Sequence, residues 1–375
     1  MSKGNVIVVG AGIVGLATSR AFAARGYSVT VLERNHRAVG ASIRNFGMVW
    51  PVGQPTGELY DAALRSRAIW EELCRGAGIF HDPVGSLHLA YHDDEALVLE
   101  ELCHAYKDER PFQLMKPDQV LNSSPAVVPE GLISGLYSSS EMIVDPREAI
   151  WAFPEYLSSI YPISFKWGES VTEVGEHRVK TAGASYDADI VVICSGMEFE
   201  TLYPEIFARE IAVKCKLQMM RFGPQPDNWR IGPALCGGLS LIHYHSFRAA
   251  ASLAALKSRY EAEMGDYLDW GIHVMVSQNG KGELTIGDSH EYGGTHDPFD
   301  KGFINEMILK YLRSFARFRN EELLESWNGT YAKLMNGNPY FFHSPAKDVY
   351  VFNGIGGNGM TLSFGLAEKL VAGIS

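Results

Sequence analysis

The sequence predicts an α/β domain of the Rossmann type together with an α+β substrate domain that has a mostly antiparallel sheet. Two observations predict this fold. Patterns of strand, glycine turn and helix occur near both ends of the 375 residues, and strand patterns that suit an antiparallel sheet occupy the middle. A chain of this length suits two domains. Because nucleotide-binding signals lie at both ends and near residue 190, we expect 1–80, 142–210 and 325–375 in the first domain and 81–141 and 211–324 in the second.

The first element is a strand over Asn5–Val9, an apolar run typical of a parallel strand buried on both faces. It leads into a G-x-G-x-x-G turn and a helix. In that turn Gly10 allows the tight bend, Gly12 admits a pyrophosphate, and Gly15 lets helix and strand pack closely. Glu33 ends the second strand, 23 residues after Gly10, where an acid binds a ribose and repels a 2′-phosphate. The alternative is a glycine turn that holds no ligand.

The elements that follow are predicted from hydrophobic periodicity and turn residues. Helices are expected at 57–77, 93–106, 117–122, 301–318 and 360–372. Strands are expected at 83–91, 214–221 and 273–277, with several short strands over 160–194.

A second unit of strand, glycine loop and helix lies at the far end of the chain. The strand Val349–Phe352 runs into Asn353–Gly359, and the last helix follows. This unit is unusual for an NAD enzyme but suits a flavoprotein, because a helix N-terminus stabilises negative charge on the reduced flavin ring. We therefore expect the Rossmann-type domain to bind FAD.

Four segments together resemble the family of D-amino acid oxidase, glycine oxidase and sarcosine oxidase. They are Gly10–Gly15 with Glu33 and Arg34, 40–47, 191–196 and 354–363, and the resemblance extends over essentially the whole chain. It implies FAD contacts from Gly10, Gly12, Ile13, Val14, Gly15, Glu33, Arg34, Ser42, Arg44, Asn45, Gly47, Val171, Ser195, Gly196, Gly356, Gly357, Asn358, Gly359, Met360 and Thr361. For Val171 and Gly196 plain packing is the alternative. Some relatives hold flavin through a cysteine near the C-terminus; since the last cysteine here is Cys236, we expect noncovalent FAD.

The substrate pocket departs from the family pattern at one position. Members that oxidise α-amino acids carry Trp-x-Gly-x-Arg, whose arginine binds a carboxylate through two parallel hydrogen bonds. Here Tyr331 stands in the place of that arginine, after Trp327 and Gly329. Lys333 follows two residues later, and its point charge suits a tetrahedral anion such as a phosphonate.

Two histidine-bearing segments indicate where an anion binds. His243 and His245 alternate in Ser240–Phe247, so as a strand they would share one face, and His290 lies in 284–292, a second predicted strand. Both segments resemble a subgroup of the family associated with aminophosphonate breakdown. A structural role for any one histidine is the alternative. The candidate catalytic residues are His243, His245, His290, Tyr331 and Lys333.

The predicted reaction is the oxidation of a small amine, 2-aminoethylphosphonate or a similar compound, to an imine that hydrolyses to an aldehyde. A glycine, sarcosine or D-amino acid oxidase is the alternative. Oxygen or another carrier accepts the electrons; Thr285 stands where sarcosine oxidases have a lysine that promotes reaction with oxygen, so a dehydrogenase is a rival. A tRNA-modifying flavoprotein and a flavin-binding structural subunit are further rivals.

Composition narrows the class of protein. The net charge of −11 argues against nucleic-acid binding. Five unpatterned cysteines fit buried, reduced thiols in the cytoplasm. No metal is expected, because only His243 and His245 stand at ligand spacing with no thiolate or acid nearby. No signal peptide and no membrane span are expected.

Overall fold

The fold was analysed in a computed structural model that describes residues 2–374. Its α-helices are α1 (Ile13–Ala23), α2 (Glu58–Ala77), α3 (Asp93–Ala105), α4 (Pro117–Ser123), α5 (Pro146–Ile160), α6 (Pro204–Arg209), α7 (Leu253–Glu263), α8 (Gly265–Asp269), α9 (Gly302–Phe315) and α10 (Gly359–Ile374). Its strands are β1 (Asn5–Val9), β2 (Ser28–Glu33), β3 (Met48–Val49), β4 (His81–Asp82), β5 (Ser86–Ala90), β6 (Phe112–Met115), β7 (Ser134–Ser138), β8 (Met142–Val144), β9 (Ile163–Trp167), β10 (Val171–Gly175), β11 (Arg178–Thr181), β12 (Ser185–Asp187), β13 (Ile190–Ile193), β14 (Ala212–Phe222), β15 (Ala234–Cys236), β16 (Met275–Gln278), β17 (Leu284–Gly287), β18 (Glu291–Gly293), β19 (Leu323–Leu334), β20 (Phe341–Ala346) and β21 (Val349–Asn353).

A six-stranded sheet carries the nucleotide-binding signals. Its strand order is β20-β21-β13-β1-β2-β9, and all neighbouring strands are parallel except β20 and β21. The continuous apolar run of β1 is buried between layers, as a parallel sheet covered on both faces requires. The order places the carboxyl ends of β1, β13 and β21 side by side, which is where such sheets bind ligands.

Two apolar cores cover the faces of this sheet. On one face α1, α2, α5 and α10 enclose Phe22, Trp70, Phe153 and Phe364, which are almost fully buried. On the other face Phe207 of α6 and the antiparallel sheet β10-β11-β12 complete a smaller core. The predicted Rossmann-type architecture is thereby confirmed.

A nine-stranded, mostly antiparallel sheet forms the second layer. Its order is β18-β14-β17-β16-β15-β5-β7-β6, and β19 also pairs with β14. Only the β15–β5 pair is parallel. A separate apolar core packs this sheet against α9, through Ile304, Ile308 and Phe315. This confirms the α+β domain with a mostly antiparallel sheet.

The long strand β19 crosses the predicted domain limit at residue 325. It hydrogen-bonds to β14 from Ala212 to Phe222, so residues 325–334 pair with the second sheet, although we assigned them to the first domain. The short sheet β3-β8-β4 joins segments from both sides of residue 142. The stated domain limits otherwise stay a prediction.

All five cysteines are free. Cys74, Cys194, Cys215 and Cys236 are buried, whereas Cys103 is half-buried, which corrects the expectation for that residue. Burial raises the pKa of Cys194 to about 12, so this thiol stays protonated and unreactive. Among residues 2–374, none of the helices has both the length and the apolar character needed to cross a bilayer.

Candidate functional site

A cavity of about 670 Å³ lies between the carboxyl ends of the parallel strands and the second sheet. It extends from Glu33 at one end to the histidines 243, 273 and 290 at the other. All the residues predicted to bind cofactor or substrate line it, except Gly15 and Gly47. A Cβ on Gly15 would lie 1.9 Å from the Gly10 carbonyl oxygen, and one on Gly47 2.0 Å from that of Val144. Both glycines therefore allow close backbone packing. Gly47, which we expected to contact FAD, does not line the cavity.

The glycine turn after β1 forms one wall of the cavity. Gly10 has φ +104°, and a Cβ there would lie 2.5 Å from the Cys194 carbonyl oxygen. Gly12 has no side chain to cap α1, so the start of this helix is open to the cavity. Ser42 Oγ accepts a hydrogen bond from the Ile13 N–H at 2.9 Å. A helix N-terminus in this position is suited to bind a diphosphate.

Glu33 lies at the end of β2 and is only 8% exposed. Its carboxylate accepts hydrogen bonds from the backbone N–H groups of Ala11 and Asn35, both at 3.0 Å. These bonds hold the carboxylate in the cavity wall beside the glycine turn, where it can accept a hydrogen bond from a ribose hydroxyl.

The second glycine loop closes the opposite side of the cavity. Gly354 and Gly356 have φ of +72° and +63°, and α10 begins at Gly359. Two hydrogen bonds fix the start of this helix. Gln54 Nε2 donates to Asn358 Oδ1 at 3.0 Å, and the backbone N–H of Trp50 donates to Thr361 Oγ1 at 3.0 Å. Two helix starts and an acid thus border one long cavity, an arrangement that fits FAD.

The strand β19 brings the predicted substrate residues to the far end of the cavity. Tyr331 and Lys333 both line it, and a Cβ on Gly357 would lie 3.5 Å from the Tyr331 hydroxyl. Burial raises the pKa of Tyr331 well above its usual value, so the phenol stays protonated. Among the described residues no carboxylate forms an ion pair with Lys333, whose Nζ lies 5.7 Å from the ring centre of Tyr292.

Three histidines meet beside this lysine, and we name His243, His273 and His290 the histidine cluster. The ring centres of His243 and His273 are 3.7 Å apart, and each is 5.1 Å from that of His290. His290 Nδ1 lies 2.9 Å from the Gly271 carbonyl oxygen and donates to it. Burial, helped by the charge of Lys333, lowers the pKa of all three, that of His290 to about 4.

One acid faces the histidine cluster. Asp288 Oδ1 lies 3.3 Å from His273 Nε2, and Oδ2 lies 3.8 Å from His290 Nε2. Asp288 is only 5% exposed, and burial raises its pKa well above the usual value. Neither His273 nor Asp288 was among the predicted site residues. His273 stood out only as the start of a predicted strand, and no spacing in the sequence connects it to His243.

The segment Ser240–Phe247 is not a strand, which corrects our expectation for His243 and His245. It forms two short 3-10 turns, Gly238–Ile242 and His245–Ala249. Ser240 Oγ donates to the Gly237 carbonyl oxygen at 2.6 Å, a local bond that competes with strand pairing. His243 therefore joins the histidine cluster, whereas His245 is exposed at the mouth of the cavity.

Thr285, which we compared with the lysine of sarcosine oxidases, does not face the cavity. Thr285 is buried within β17, and its hydroxyl accepts a hydrogen bond from Arg221 Nη2 at 3.4 Å. It is not among the residues that line the cavity. Thr285 thus gives no information about the electron acceptor.

Comparisons with known proteins agree with this geometry. The profile of a family described as FAD dependent oxidoreductase matches residues 5–372. A glycine oxidase of Geobacillus kaustophilus (strain HTA426) is 23% identical over 381 aligned residues, which cover 96% of this chain and 89% of that protein. The crystal structure of glycine oxidase from Geobacillus kaustophilus superposes with a TM-score of 0.77 at 20% identity, covering 99% of this chain and 94% of that one. L-proline dehydrogenase from P. horikoshii gives the same TM-score at 21% identity, covering 100% and 94%.

Proposed function

This chain belongs to the FAD-dependent oxidoreductase family, and from that premise we propose that it oxidises a small amine carrying a phosphonate group, of the 2-aminoethylphosphonate kind. The observation that carries the proposal is the cationic, arginine-free end of the cavity. Among the described lining residues the arginines are Arg34, next to Glu33, and Arg44, whose guanidinium donates to the Asn328 carbonyl oxygen of β19 at 3.1 Å.

The arrangement of the hydrogen-bond donors at this end of the cavity favours a phosphonate over a carboxylate. A carboxylate is planar and binds best to a guanidinium that offers two parallel N–H bonds. A phosphonate has three oxygens and accepts donors from several directions. Lys333, the histidine cluster and the Tyr331 hydroxyl border the same end of the cavity, and Lys333 has no competing ion pair among residues 2–374.

Flavin chemistry supplies a two-electron acceptor for the oxidation. The residues of the chain would bind the anion, orient the amine and exclude water. Met48, Trp50 and Tyr244 line the cavity between its two ends and provide the apolar wall for this purpose. The amine loses two electrons and two protons to give an imine, and water then adds to the imine to release an aldehyde and the free amine or ammonia.

The amine must react unprotonated, because the nitrogen lone pair has to form the C=N bond as the neighbouring carbon loses its C–H electron pair. The histidines of the cluster are neutral near neutral pH, since burial lowers the pKa of His290 to about 4 and that of the other two well below the usual value. An amine entering this environment is favoured in its neutral form, because no described carboxylate other than Asp288 lines this end.

A second candidate function is the oxidation of a small amino acid such as glycine. The observation that favours it is the similarity to glycine oxidase of Geobacillus kaustophilus over 96% of the chain. In that case the carboxylate would bind Lys333 in place of the missing arginine. The electron acceptor, oxygen or another carrier, is left open in both candidates.

An anaerobic spectral screen of the FAD-loaded protein decides between the two. We expect 2-aminoethylphosphonate or its N-methyl derivative to bleach the visible flavin band with a higher specificity constant than glycine, sarcosine or D-alanine. If glycine, sarcosine or D-alanine is better by tenfold, the phosphonate proposal is wrong. If none of these compounds bleaches the flavin, both candidates are wrong. Reoxidation by air or by a quinone then identifies the acceptor.

Substitution of Lys333 tests the anion contact. Loss of one charge-assisted bond is worth about 1.5–3 kcal/mol, so Lys333→Met should lower the specificity constant for the aminophosphonate roughly tenfold to a hundredfold. Oxidation of an uncharged alkylamine should change little. Lys214→Met is the matched control, because Lys214 lies on the neighbouring strand β14 and pairs with Glu200 outside the cavity. Equal losses for charged and uncharged amines would contradict the assigned contact.

A further inference from the structure

We propose that His243, His273 and His290 form a binding site for one divalent transition-metal ion of the zinc class, with an open coordination position toward the cavity. Three neutral imidazoles and one open position are the usual ligand set of a zinc ion that binds an exchangeable oxygen. No metal was expected from the sequence, since only His243 and His245 stand at ligand spacing. The proposed set keeps His243 and takes two histidines from other segments.

The distances suit a metal. One ring nitrogen from each histidine can be chosen so that all three lie within 4.8 Å of one another. Ligands of a tetrahedral zinc at about 2.0–2.1 Å are about 3.3 Å apart, so small rotations of the rings suffice to close the site. His243 lies in the link between the two 3-10 turns, His273 in the loop before β16 and His290 in the loop before β18. Backbone hydrogen bonds between His273 and Asp288 hold the last two loops together.

Buried polar atoms at the histidine cluster lack well-formed hydrogen bonds. Both ring nitrogens of His273 and Oδ1 of Asp288 are buried and form no hydrogen bond of acceptable geometry among the described residues, although His273 Nε2 lies 3.3 Å from Asp288 Oδ1. His273 is 3% exposed and Asp288 is 5% exposed. Leaving such atoms unpaired costs free energy, and each usually has an explanation such as an ion. A cation bound by His273 next to Asp288 provides partners for both residues.

His290 is oriented for coordination. Its Nδ1 donates to the Gly271 carbonyl oxygen at 2.9 Å, which leaves Nε2 unprotonated and free to bind a cation. Histidines that bind metals characteristically donate their second ring N–H to a carbonyl or carboxylate in this way. A Cβ on Gly271 would lie 2.8 Å from the His290 Cβ, so the glycine permits this close approach.

The alternative is that the histidines bind an anion directly as imidazolium ions. The 3.7 Å between the ring centres of His243 and His273 argues against it, because two adjacent positive rings would repel each other at that distance.

The role of the metal rests on the proposed function. A divalent ion held by three neutral imidazoles would add positive charge beside Lys333, at the same end of the cavity. The open position would then bind a phosphonate oxygen of the substrate, while Lys333 binds a second oxygen. The metal thus replaces the arginine that other family members use for the substrate anion.

Metal binding is tested first without substrate. FAD-loaded protein is dialysed against a chelator and titrated with Zn²⁺ in competition with a chromophoric chelator, and bound zinc is counted by mass spectrometry. We expect about one zinc per chain. His273→Asn and His290→Gln should each weaken binding at least about tenfold. His245→Gln is the matched control, because His245 lines the same cavity outside the cluster, and it should keep the zinc.

Absence of zinc binding by the wild-type protein, or zinc retained by both cluster variants, overturns the proposal. Zinc lost equally by His245→Gln overturns it too. Because the wild-type titration decides by itself, the proposal stays testable even if a cluster variant fails to fold.

The anion role is tested by binding of 2-aminoethylphosphonate to zinc-loaded and chelated protein, followed by perturbation of the flavin spectrum under anaerobic conditions. We expect at least tenfold tighter binding with zinc. Equal affinity in both forms overturns the anion role and favours direct binding by the residues alone. If zinc binds but aminophosphonates neither bind nor reduce the flavin, the proposed function fails while the metal site stands.

Discussion

The absence of a side chain at Gly12 keeps the cavity open at the start of α1. A Cβ at this position would lie 3.1 Å from Ser42 Oγ, the atom that accepts a hydrogen bond from the Ile13 N–H. The methyl groups of a larger residue would extend into the cavity at the start of α1, where a diphosphate is suited to bind. We therefore expect the space that Gly12 leaves to be filled by the diphosphate of the cofactor.

Gly12→Val should give folded but colourless protein, because valine occupies the place of the pyrophosphate. Flavin absorbance after purification, with added FAD as a rescue, measures the effect. Gly183→Val is the control, since Gly183 is an exposed turn residue with nothing within 4 Å of a built Cβ. A yellow Gly12→Val protein with a full complement of FAD would contradict the assigned diphosphate position. Release of FAD from wild-type protein by acid tests the expected noncovalent attachment.

Individual residues of the cofactor wall could be predicted because they lie in short continuous motifs. Gly10, Gly12 and Glu33 belong to one strand–turn–helix–strand unit, where chain geometry alone fixes their relation. His273 and Asp288 could not be predicted in the same way. They approach each other only because the backbones of these two residues bond to each other across the second sheet, at 3.3 and 3.1 Å. No local pattern encodes that pairing.

Helices α2 and α10 pack closely where Gly365 of α10 faces Ala62 of α2. A Cβ on Gly365 would lie 2.2 Å from the Ala62 carbonyl oxygen, and the Gly365 N–H donates to Ser66 Oγ at 2.8 Å. The contact positions the start of α10, which borders the cavity. Close packing of these two helices thus helps to place the cofactor loop.

Gly365→Ala should destabilise the protein by about 1–3 kcal/mol, the usual cost of overpacking a core. Gly373→Ala in the same helix is the matched control, because a Cβ there meets nothing within 4 Å and alanine favours a helix. Thermal unfolding of the FAD-loaded variants measures both. A Gly365→Ala protein as stable as Gly373→Ala would show that α2 and α10 separate at no cost.

The bounds of helices with a clear hydrophobic period were predicted more closely than the bounds of strands that depend on a distant partner strand. The predicted helix at 57–77 is observed as Glu58–Ala77, and the predicted helix at 93–106 as Asp93–Ala105. Helix α5 was not predicted, although Asp145 caps it by accepting a hydrogen bond from the Arg147 N–H at 2.9 Å. The extent of β19 was also missed, because its partner β14 lies about a hundred residues earlier and supplies its hydrogen bonds.

Across the whole molecule, both sheets contribute walls to one cavity. The six-stranded sheet provides the glycine turn and Glu33, and the nine-stranded sheet provides Leu217, Met219 and Tyr331. A ligand that fills this space touches Ile13 and Leu32 from the cores of the six-stranded sheet, and Leu217 and Met219 from the nine-stranded sheet. Its binding free energy therefore adds to the stability of both layers.

FAD should raise the unfolding temperature of the whole protein in a single transition. At free FAD one hundred times its dissociation constant, the added stability is about 2.7 kcal/mol. ADP, which can occupy only the end beside Glu33 and the first glycine turn, should protect those segments from hydrogen exchange but not residues 353–361. Protection of that C-terminal loop by ADP would contradict the assigned orientation of the cofactor.

The strand order has a consequence for how the protein is made. The ribosome releases β1 long before its sheet neighbour β13 and before β21, which pairs with β13, and α10 packs onto α1 only after β21 has emerged. A nascent chain that has reached α9 has the first glycine turn but neither the second loop nor the closing helix. We therefore expect FAD to be captured only after α10 has been synthesised, and a chain that stops before Gly354 to purify without flavin.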